Sequence, residues 1–326
     1  MRPTLINFPP DQNNLFDPVF AVDIKQYFNT DEFNPAIQYD KRSTVFCLNL
    51  IQYNQYYKIV DQLIEDNHYV IFENLHEAKP FDEKYLSFPN VLFLFAAKKI
   101  NLIKKNVLQI PMYFWYKESR DWTNRGYNQL TRSNKCDKKF LMLINDEHKS
   151  FRTSIYNKFE NILDSALYSF VSRGIRLPND VDPTDVYWDR YVDIDWYNAT
   201  QFSVVIETFM HSGTFGNIFI TEKTMKPIAF QHPFVILGSP TTLNKLQSVG
   251  FVTFENLFDE HYDTVISDDK RIEAVYNQVK NYKATQYDQL TQEKIKHNFN
   301  WFYNDAEIKR RYKLEIIDPI MEFING

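Results

Sequence analysis

A carboxylate and an ammonium group, those of Glu222 and Lys223, stand side by side between two apolar runs of the chain. The run at 218–220 is predicted to end a strand and Thr224 to cap the helix that follows, which places the pair at a helix amino terminus. That terminus carries partial positive charge and free N–H groups, and Lys226 adds a cation, so together they suit a diphosphate. Glu222 could accept hydrogen bonds from sugar hydroxyls. The competing interpretation is a plain helix cap beside a solvated lysine.

Short apolar runs alternate with amphipathic segments along the chain, and this alternation predicts the elements that position the pair. Helical spacing is found at 55–67 and 241–250, and the carboxyl-terminal segment is strongly helical. Strands are predicted at 44–50, 68–74, 91–97, 107–116, 140–145, 202–207, 233–238 and 251–254. Such alternation is typical of an α/β fold with parallel sheets, in which ligands bind at the carboxyl ends of the strands.

The length of the chain, 326 residues, predicts about two domains. A polar stretch at 118–139 is expected to connect them. We predict a first domain at 1–135, a second at 136–300, and a carboxyl-terminal helix at 301–326 that packs back on the first domain. Both domains are expected to be Rossmann-like and to face each other across a cleft.

The composition argues against several classes of protein. A net charge of -5 argues against a protein that mainly coats nucleic acid. Cys47 and Cys136 are too few for a disulfide framework or a thiolate metal site, which favours a reducing compartment. No apolar run approaches the roughly 18 residues of a membrane helix, and no signal-peptide pattern is visible. We therefore expect a soluble, cytoplasmic protein without a membrane span.

The segment from 202 to 240 resembles the nucleotide-binding signature of the α-1,3-fucosyltransferases. In that family a strand ending F-E-N is followed by Y-[IV]-T-E-K and then by a P-[VI]-x-x-G strand and turn. Phe219 stands where the family has tyrosine, and Thr208 stands where it has asparagine, which leaves the identity of the nucleotide open. The positions that match are Phe202, Glu207, Ile220, Thr221, Glu222, Lys223, Pro233, Gly238 and Pro240.

Two further segments extend the resemblance. The segment at 138–170 is similar to the family's strand, loop, arginine and helix, with Arg152 at the arginine position. The segment at 70–80 is similar to the family's acceptor-side segment, and Glu77 falls at the position of the general base. Glu73, four residues earlier, is the competing candidate. Either carboxylate would have to lie within about 3 Å of the acceptor hydroxyl.

The resemblance implies a GT-B-like α/β fold and inverting transfer of a sugar from a nucleotide diphosphate, with a GDP-sugar favoured, to a hydroxyl of a glycan. The first domain would meet the acceptor and the second would bind the donor. Arg152 and Lys223 would stabilise the departing diphosphate, so no divalent metal or other cofactor is expected to be required. The residues implied in binding the nucleotide sugar are Arg152, Glu207, Phe219, Thr221, Glu222, Lys223 and Lys226.

The T-E-K-T-x-K-P-I sequence that begins at Thr221 also resembles the presumed glycosyltransferases of large tailed bacteriophages. That resemblance implies the cytoplasm of a bacterial or virus-infected cell. It also raises a second acceptor, a hydroxymethylated pyrimidine in DNA, and the basic runs at 98–99, 104–105 and 309–311 could contact phosphates. Salt-sensitive binding to duplex DNA would separate the two acceptors.

Two other interpretations stay open at this point. A metal-dependent glycosyltransferase would hold a divalent cation with an Asp-x-Asp pair, and two such pairs exist, Asp180 with Asp182 and Asp193 with Asp195. A catalytically inactive nucleotide-binding or interaction module is the other. Arg152, Glu222 and Lys223 together weigh against it, because an inactive site does not need all three chemical types.

Overall fold

The computed structural model is an α/β protein that divides into two compact units. Unit 1 comprises Met1–Arg120 and Asp305–Gly326, and unit 2 comprises Asp121–Asn304. The structure describes residues 3–7, 27–32, 34–41, 44–49, 53–74, 83–98, 104–133, 136–178, 193–210, 217–283 and 286–325.

Strands and helices alternate through both units, as the sequence predicts. The strands are β1 (Thr4–Asn7), β2 (Asn29–Glu32), β3 (Thr44–Asn49), β4 (Tyr69–Asn74), β5 (Val91–Phe95), β6 (Val107–Gln109), β7 (Lys138–Ile144), β8 (Ala166–Phe170), β9 (Thr200–Ile206) and β10 (Phe234–Leu237). The α-helices are α1 (Tyr53–Glu65), α2 (Tyr113–Asn124), α3 (Ser150–Phe159), α4 (Ile194–Asn198), α5 (Glu222–Ala229), α6 (Thr242–Ser248), α7 (Asp268–Asn281), α8 (Gln289–Phe302), α9 (Asp305–Tyr312) and α10 (Asp318–Asn325). None of these helices, within the described ranges, is long and apolar enough to cross a bilayer.

Unit 1 is built on a six-stranded parallel sheet in the order β2-β1-β3-β4-β5-β6. Its core is made by aromatic and β-branched side chains, among them Phe46, Phe72 and Phe93, all with no exposed surface. Runs of such residues suit strands that are covered on both faces. Because all the strands are parallel, their carboxyl ends lie along one edge of the sheet.

The carboxyl-terminal segment belongs to unit 1, in agreement with the predicted return of the last helix. The hydroxyl of Tyr116 donates to Glu315 Oε2 at 2.7 Å, within a π-helical turn at Lys313–Ile317 that links α9 to α10. Phe323 of α10 packs edge-on against Tyr69 of β4, with ring centroids 5.3 Å apart. The sheet of unit 1 is therefore covered in part by the end of the chain.

Unit 2 is built on a four-stranded parallel sheet in the order β10-β9-β7-β8. Phe140 of β7 stacks on Phe202 of β9, with ring centroids 6.1 Å apart, and both side chains are fully buried. β9 therefore lies inside the sheet, between β10 and β7, and its carboxyl end is flanked by strands on both sides.

The predicted strand at 107–116 is wrong in its second half. β6 ends at Gln109 as an edge strand, Pro111 follows, and the aromatic residues after it form the start of α2. Proline lacks the N–H that a further ladder bond needs, which ends the strand there. α2 runs into the polar stretch that was predicted to connect the domains, and the unit division at Arg120 precedes the predicted boundary at 135.

The residues just after Arg120 belong to unit 2 because their contacts are there. Trp122 is fully buried, and its ring centroid lies 5.6 Å from those of Phe230 and Phe302. Arg132 donates through Nη2 to the carbonyl of Thr200 at 2.5 Å. The partners in these contacts are distant in the sequence, so the polar composition of the segment does not predict them.

The predicted strand at 251–254 is also wrong. The backbone of Val252 bonds to a side chain of α8. The Asn298 carboxamide accepts from the N–H of Val252 and donates to the carbonyl of Val252, both at 2.8 Å. Lys294 donates to the carbonyl of Thr253 at 2.9 Å. The backbone groups of this strand-like segment therefore bond to side chains of a helix instead of to a neighbouring strand.

We expect Asn298→Leu to destabilise unit 2 by about 1–3 kcal/mol, because the N–H and carbonyl of Val252 lose their partners. Urea unfolding followed by tryptophan fluorescence measures the loss. Asn300→Leu is the matched control, since Asn300 is exposed on the same helix. Equal destabilisation by the two variants would mean that the carboxamide does not hold this segment.

Candidate functional site

A buried carboxylate lies at the carboxyl end of β9. Glu207 follows the last residue of the strand and has no exposed surface. Its two oxygens accept four hydrogen bonds of 2.6–3.1 Å, from the N–H of Thr208, the N–H and hydroxyl of Thr221, and the hydroxyl of Thr224. A buried carboxylate with this many donors is fully satisfied. Glu207 therefore ties the end of a central strand to the first turn of α5.

These bonds place the start of α5 one turn earlier than the sequence analysis does. Thr221, not Thr224, is the cap, because its extended backbone lets its hydroxyl accept from the N–H of Lys223 at 3.3 Å. Residues 218–220 are buried but belong to no strand. Pro227 consequently lies inside the helix instead of in its first turn. The prediction that Glu222 and Lys223 begin a helix is confirmed.

The turn after β10 is shaped to the same carboxylate. A Cβ atom on Gly238 would lie 3.3 Å from both Cβ and Cγ of Glu207. That separation is tighter than ordinary van der Waals contact. Glycine at this position therefore lets the backbone approach the Glu207 side chain closely.

Two lysine side chains meet at Thr208, the residue after the buried carboxylate. Nζ of Lys223 lies 3.2 Å from the hydroxyl oxygen of Thr208 and 2.5 Å from Oε1 of Glu222. Nζ of Lys149 donates to the carbonyl of Thr208 at 2.8 Å and lies 4.2 Å from the ring centroid of Phe209. The two ammonium groups are thus anchored to one residue.

Lys149 is a site residue that the sequence analysis missed. It directly precedes α3 and stands one helical turn before Arg152. That spacing from the predicted arginine was the available signal, since a side chain at the start of the helix points toward the same edge of the sheet. Lys149 had no counterpart in the family signature and was therefore passed over.

Arg152 contributes a third cation. It is 4% exposed, and its guanidinium pairs with the carboxylate of Asp146 and donates to the Asp146 carbonyl at 3.3 Å. Burial lowers the pKa of Lys223, but the carboxylates of Glu222 and Glu207 outweigh burial and raise it, and the Arg152 charge opposes them. Arg152 and Lys223 are therefore close enough to interact electrostatically.

Glu222 is held in its ionised form. Burial raises the pKa of its carboxyl, but the charges of Lys223 and Lys226 and the hydrogen bond from Lys223 bring that pKa to about 2. A group that stays ionised at all ordinary pH values is unsuited to proton transfer. Glu222 can instead accept hydrogen bonds and hold Lys223 in place.

Phe219 is placed beneath this group by packing. Its side chain is 4% exposed, and its ring centroid lies 5.5 Å from that of Phe209, which in turn contacts the ammonium group of Lys149. The structure thus brings the predicted donor-side residues together in unit 2. They are Arg152, Glu207, Phe219, Thr221, Glu222, Lys223 and Lys226.

A second candidate group lies in unit 1, near the carboxyl end of β4. Glu73 is 5% exposed, and the sheet register pairs it with Asn49, so Cys47 lies diagonally opposite on the same face. Burial raises the pKa of Glu73 to about 8, and an interaction with the nearby Cys47 thiol opposes that rise. The competing candidate, Glu77, lies outside the described residues.

Metal and nucleic-acid alternatives gain no support from the described part of the chain. It contains no cluster of three or more histidine, cysteine, aspartate or glutamate side chains that could hold a metal ion. The side chain of Asp193 accepts from the N–H of Asp195 at 2.9 Å and caps α4, while the pair at 180–182 lies outside the described residues. The basic run at 309–311 is ion-paired, to Asp305 and Glu307.

We expect the stability of the protein to fall, relative to that of Glu73→Gln, as pH rises from about 5 to about 8. The folded-state pKa of Glu73 is raised, so folding favours the protonated form, and this contribution is lost as pH rises through the folded value. The difference should approach an order of 4 kcal/mol. Urea unfolding of both proteins across this range measures it, and the exposed Glu65→Gln is the control. A pH-independent difference would contradict the buried, protonated carboxyl.

Solved structures of α1,3-fucosyltransferases have a similar fold. One, with GDP-fucose, superposes with a TM-score of 0.55 at 11% identity over 99% of this chain and 90% of that chain. Another, with GDP, gives a TM-score of 0.50 at 12% identity over 94% of this chain and 92% of that chain. No protein-family model matches the sequence, and none of the curated proteins matches it. At this identity the similarity concerns the fold, and it confirms a GT-B-like α/β protein with two parallel sheets.

Proposed function

We propose that the protein is an inverting glycosyltransferase whose unit 2 binds the diphosphate of a nucleotide sugar. The observation that carries the proposal is that Lys149 and Lys223 both contact Thr208, close to the amino terminus of α5, while Arg152 lies near enough to Lys223 to interact with it electrostatically. Like charges brought together repel one another, and in a partly buried site this repulsion is costly. A diphosphate offsets it, because its oxygens can accept from all three cations.

The cations of this group are held by fixed partners. Asp146 pairs with Arg152, Glu222 pairs with Lys223, and Lys149 donates to a carbonyl and contacts an aromatic ring. The positive end of the α5 dipole also favours an anion here. The site therefore suits an anion with more than one negative charge.

The nature of the donor is inferred from the fold comparison. The two solved structures with similar folds are described with GDP and with GDP-fucose. These ligands support a nucleotide-sugar donor and make GDP the first nucleotide to test. The phage-type subclass and a cytoplasmic location are also part of the proposal, and both rest on the T-E-K-T-x-K-P-I resemblance.

Glu73 is the proposed general base. Its carboxylate takes the proton of an acceptor hydroxyl, and the oxygen then attacks the anomeric carbon of the donor sugar. The bond from that carbon to the diphosphate oxygen breaks, the leaving nucleoside diphosphate keeps the electron pair, and the configuration inverts. Lys223, Arg152 and Lys149 stabilise the charge on the leaving group, so the reaction is proposed to need no divalent metal.

A glycan hydroxyl is the favoured acceptor. Transfer to DNA would call for exposed cations along a nucleic-acid surface, and the run at 309–311 is engaged with acidic side chains of its own helix. In the other two basic runs, the side chains of Lys98, Lys104 and Lys105 are exposed and remain candidates for phosphate contacts in that alternative.

We expect isothermal titration to show that GDP or a GDP-sugar binds more tightly than UDP, CMP or dTDP, equally with and without EDTA. Lys223→Ala and Arg152→Ala should weaken that binding by about 10- to 100-fold, because each removes a charge-assisted contact. Lys149→Met should weaken it by about 10-fold. Lys158→Met is the control, since this lysine of the same helix pairs with Glu273.

Wild-type affinity in all three variants would refute the proposed donor site. Binding that disappears with EDTA would refute the metal-independent mechanism while leaving the donor site in place. Thermal unfolding of each variant must accompany the titrations, because Arg152 is buried and its loss also breaks the ion pair with Asp146.

We expect Glu73→Gln to lower the transfer rate by about 100- to 10,000-fold with unchanged donor affinity, as loss of a general base does. The wild-type rate should rise with pH and level off above about 8, the pKa of Glu73. The Cys47 thiol lowers the pKa of Glu73, so its removal in Cys47→Ala should raise that pKa and move the profile to higher pH. Cys47→Ser should move the profile less. An active Glu73→Gln together with an inactive Glu77→Gln would reassign the base to Glu77.

A further inference from the structure

A cavity of about 1000 Å³ lies in unit 1, at the end of the sheet opposite to Glu73. Tyr69, the first residue of β4, and Val107, the first residue of β6, line it. Glu73 stands four residues further along β4, about 13 Å away at the usual rise of a strand. The cavity is therefore separate from the groups that the proposed reaction uses.

Aromatic and aliphatic side chains form much of its wall. Phe88 and Leu108 line it beside the strands, and Phe323 of α10 closes it from the carboxyl-terminal segment. Phe323 is held edge-on to Tyr69, so the two rings present different faces. Such a wall suits flat, apolar surfaces of a ligand.

Two carboxamide groups in the wall use their nitrogens to bond backbone carbonyls. Asn90 donates through Nδ2 to the carbonyls of Ile64 and His68, at 2.9 and 2.8 Å. Asn106 donates through Nδ2 to the carbonyl of Leu86 at 3.2 Å. Both side chains line the cavity, and these bonds use their nitrogens. A ligand would therefore meet carboxamide oxygens and would have to donate to them.

Two lysines give the cavity a positive rim. Lys41 and Lys105 line it with exposed side chains, and Glu322 is the one carboxylate among its described lining residues. No arginine is among those residues, so the planar fork that commonly grips phosphates is missing from the described wall. Single ammonium groups on flexible stems suit carboxylates spaced along a chain.

We propose that this cavity binds a segment of an acidic oligosaccharide. Sugar rings present apolar C–H faces to the aromatic wall, their hydroxyls donate to the oxygens of Asn90 and Asn106, and their carboxylates pair with Lys41 and Lys105. A fatty acid would fill the apolar wall but leave the carboxamide oxygens without donors, which costs free energy. The inference rests on the proposed function in one respect, since a glycosyltransferase that acts on a long glycan gains by holding it away from the reacting hydroxyl.

Titration calorimetry of the full chain with a hexamer of galacturonic acid tests the proposal, with maltohexaose as the uncharged probe. We expect the acidic hexamer to bind at least about 10-fold more tightly than maltohexaose, and to lose affinity as salt rises. Lys105→Ala should weaken binding by about 5- to 10-fold. Lys104→Ala is the matched control, because this exposed neighbour does not line the cavity.

Several outcomes would overturn the proposal. They are no binding of the hexamer, equal weakening by the two lysine variants, and displacement of the hexamer by decanoate or by GDP. The hexamer is also titrated into Lys223→Ala, where it should keep its affinity. Unchanged nucleotide affinity in Lys223→Ala, together with tight hexamer binding, would refute the donor site alone. Weakened nucleotide binding in Lys223→Ala, together with no hexamer binding by either protein, would refute the cavity alone.

Discussion

The hydrogen bonds to the carboxylate of Glu207 are the interaction on which the donor-side group depends. They join the end of an inner strand, the cap of α5 and the third residue of that helix through one buried side chain. Removal of a single partner would leave a buried charge incompletely satisfied, which is costly in a protein interior. The positions of Thr208 and Lys223 follow from this arrangement, because Thr208 binds Glu207 directly and Lys223 lies between two residues that do. The close approach of the Gly238 backbone to the Glu207 side chain is part of the same arrangement.

Electrostatics then determine what this scaffold can hold. The low pKa of Glu222 shows that this carboxylate stays ionised beside Lys223 and Lys226. The cations would otherwise repel one another at the start of a helix whose dipole also repels them. The carboxylates of Asp146 and Glu222 offset this repulsion and hold the cations together. In the proposed reaction, preorganisation of this kind would lower the reorganisation that a leaving diphosphate requires.

Much of the fold could be predicted because parallel strands in a covered sheet leave a plain apolar signal. The runs that contain Phe46, Phe72, Phe140 and Phe202 all form strands. The errors arose where a distant partner decides the local structure. Asn298, 46 residues away, satisfies the backbone of Val252 and replaces a sheet neighbour. Trp122 is drawn into unit 2 by rings more than a hundred residues later in the chain.

The donor-side residues could be named from local sequence because the signature is short and adjacent elements carry it. Their roles could not be named. Glu207 reads as a ligand-binding acid in the sequence, whereas the structure shows it occupied by Thr208, Thr221 and Thr224. The one local signal for Lys149 is its spacing of one helical turn from Arg152, and that spacing does not show what the lysine contacts. Its relation to Thr208 exists only once β9 and α3 end at the same edge of the sheet.

Burial of Glu73 also has a consequence for populations of molecules. With a pKa of about 8, this carboxyl group is ionised in about one molecule in ten at pH 7. If Glu73 is the base, about nine molecules in ten would carry a proton on its carboxyl group at pH 7. The proton taken from an acceptor would tend to stay on the protein after the sugar has moved. Return of that proton to solvent would then be a step of every turnover. Its rate would depend on how well water reaches the carboxyl group of Glu73 inside the sheet.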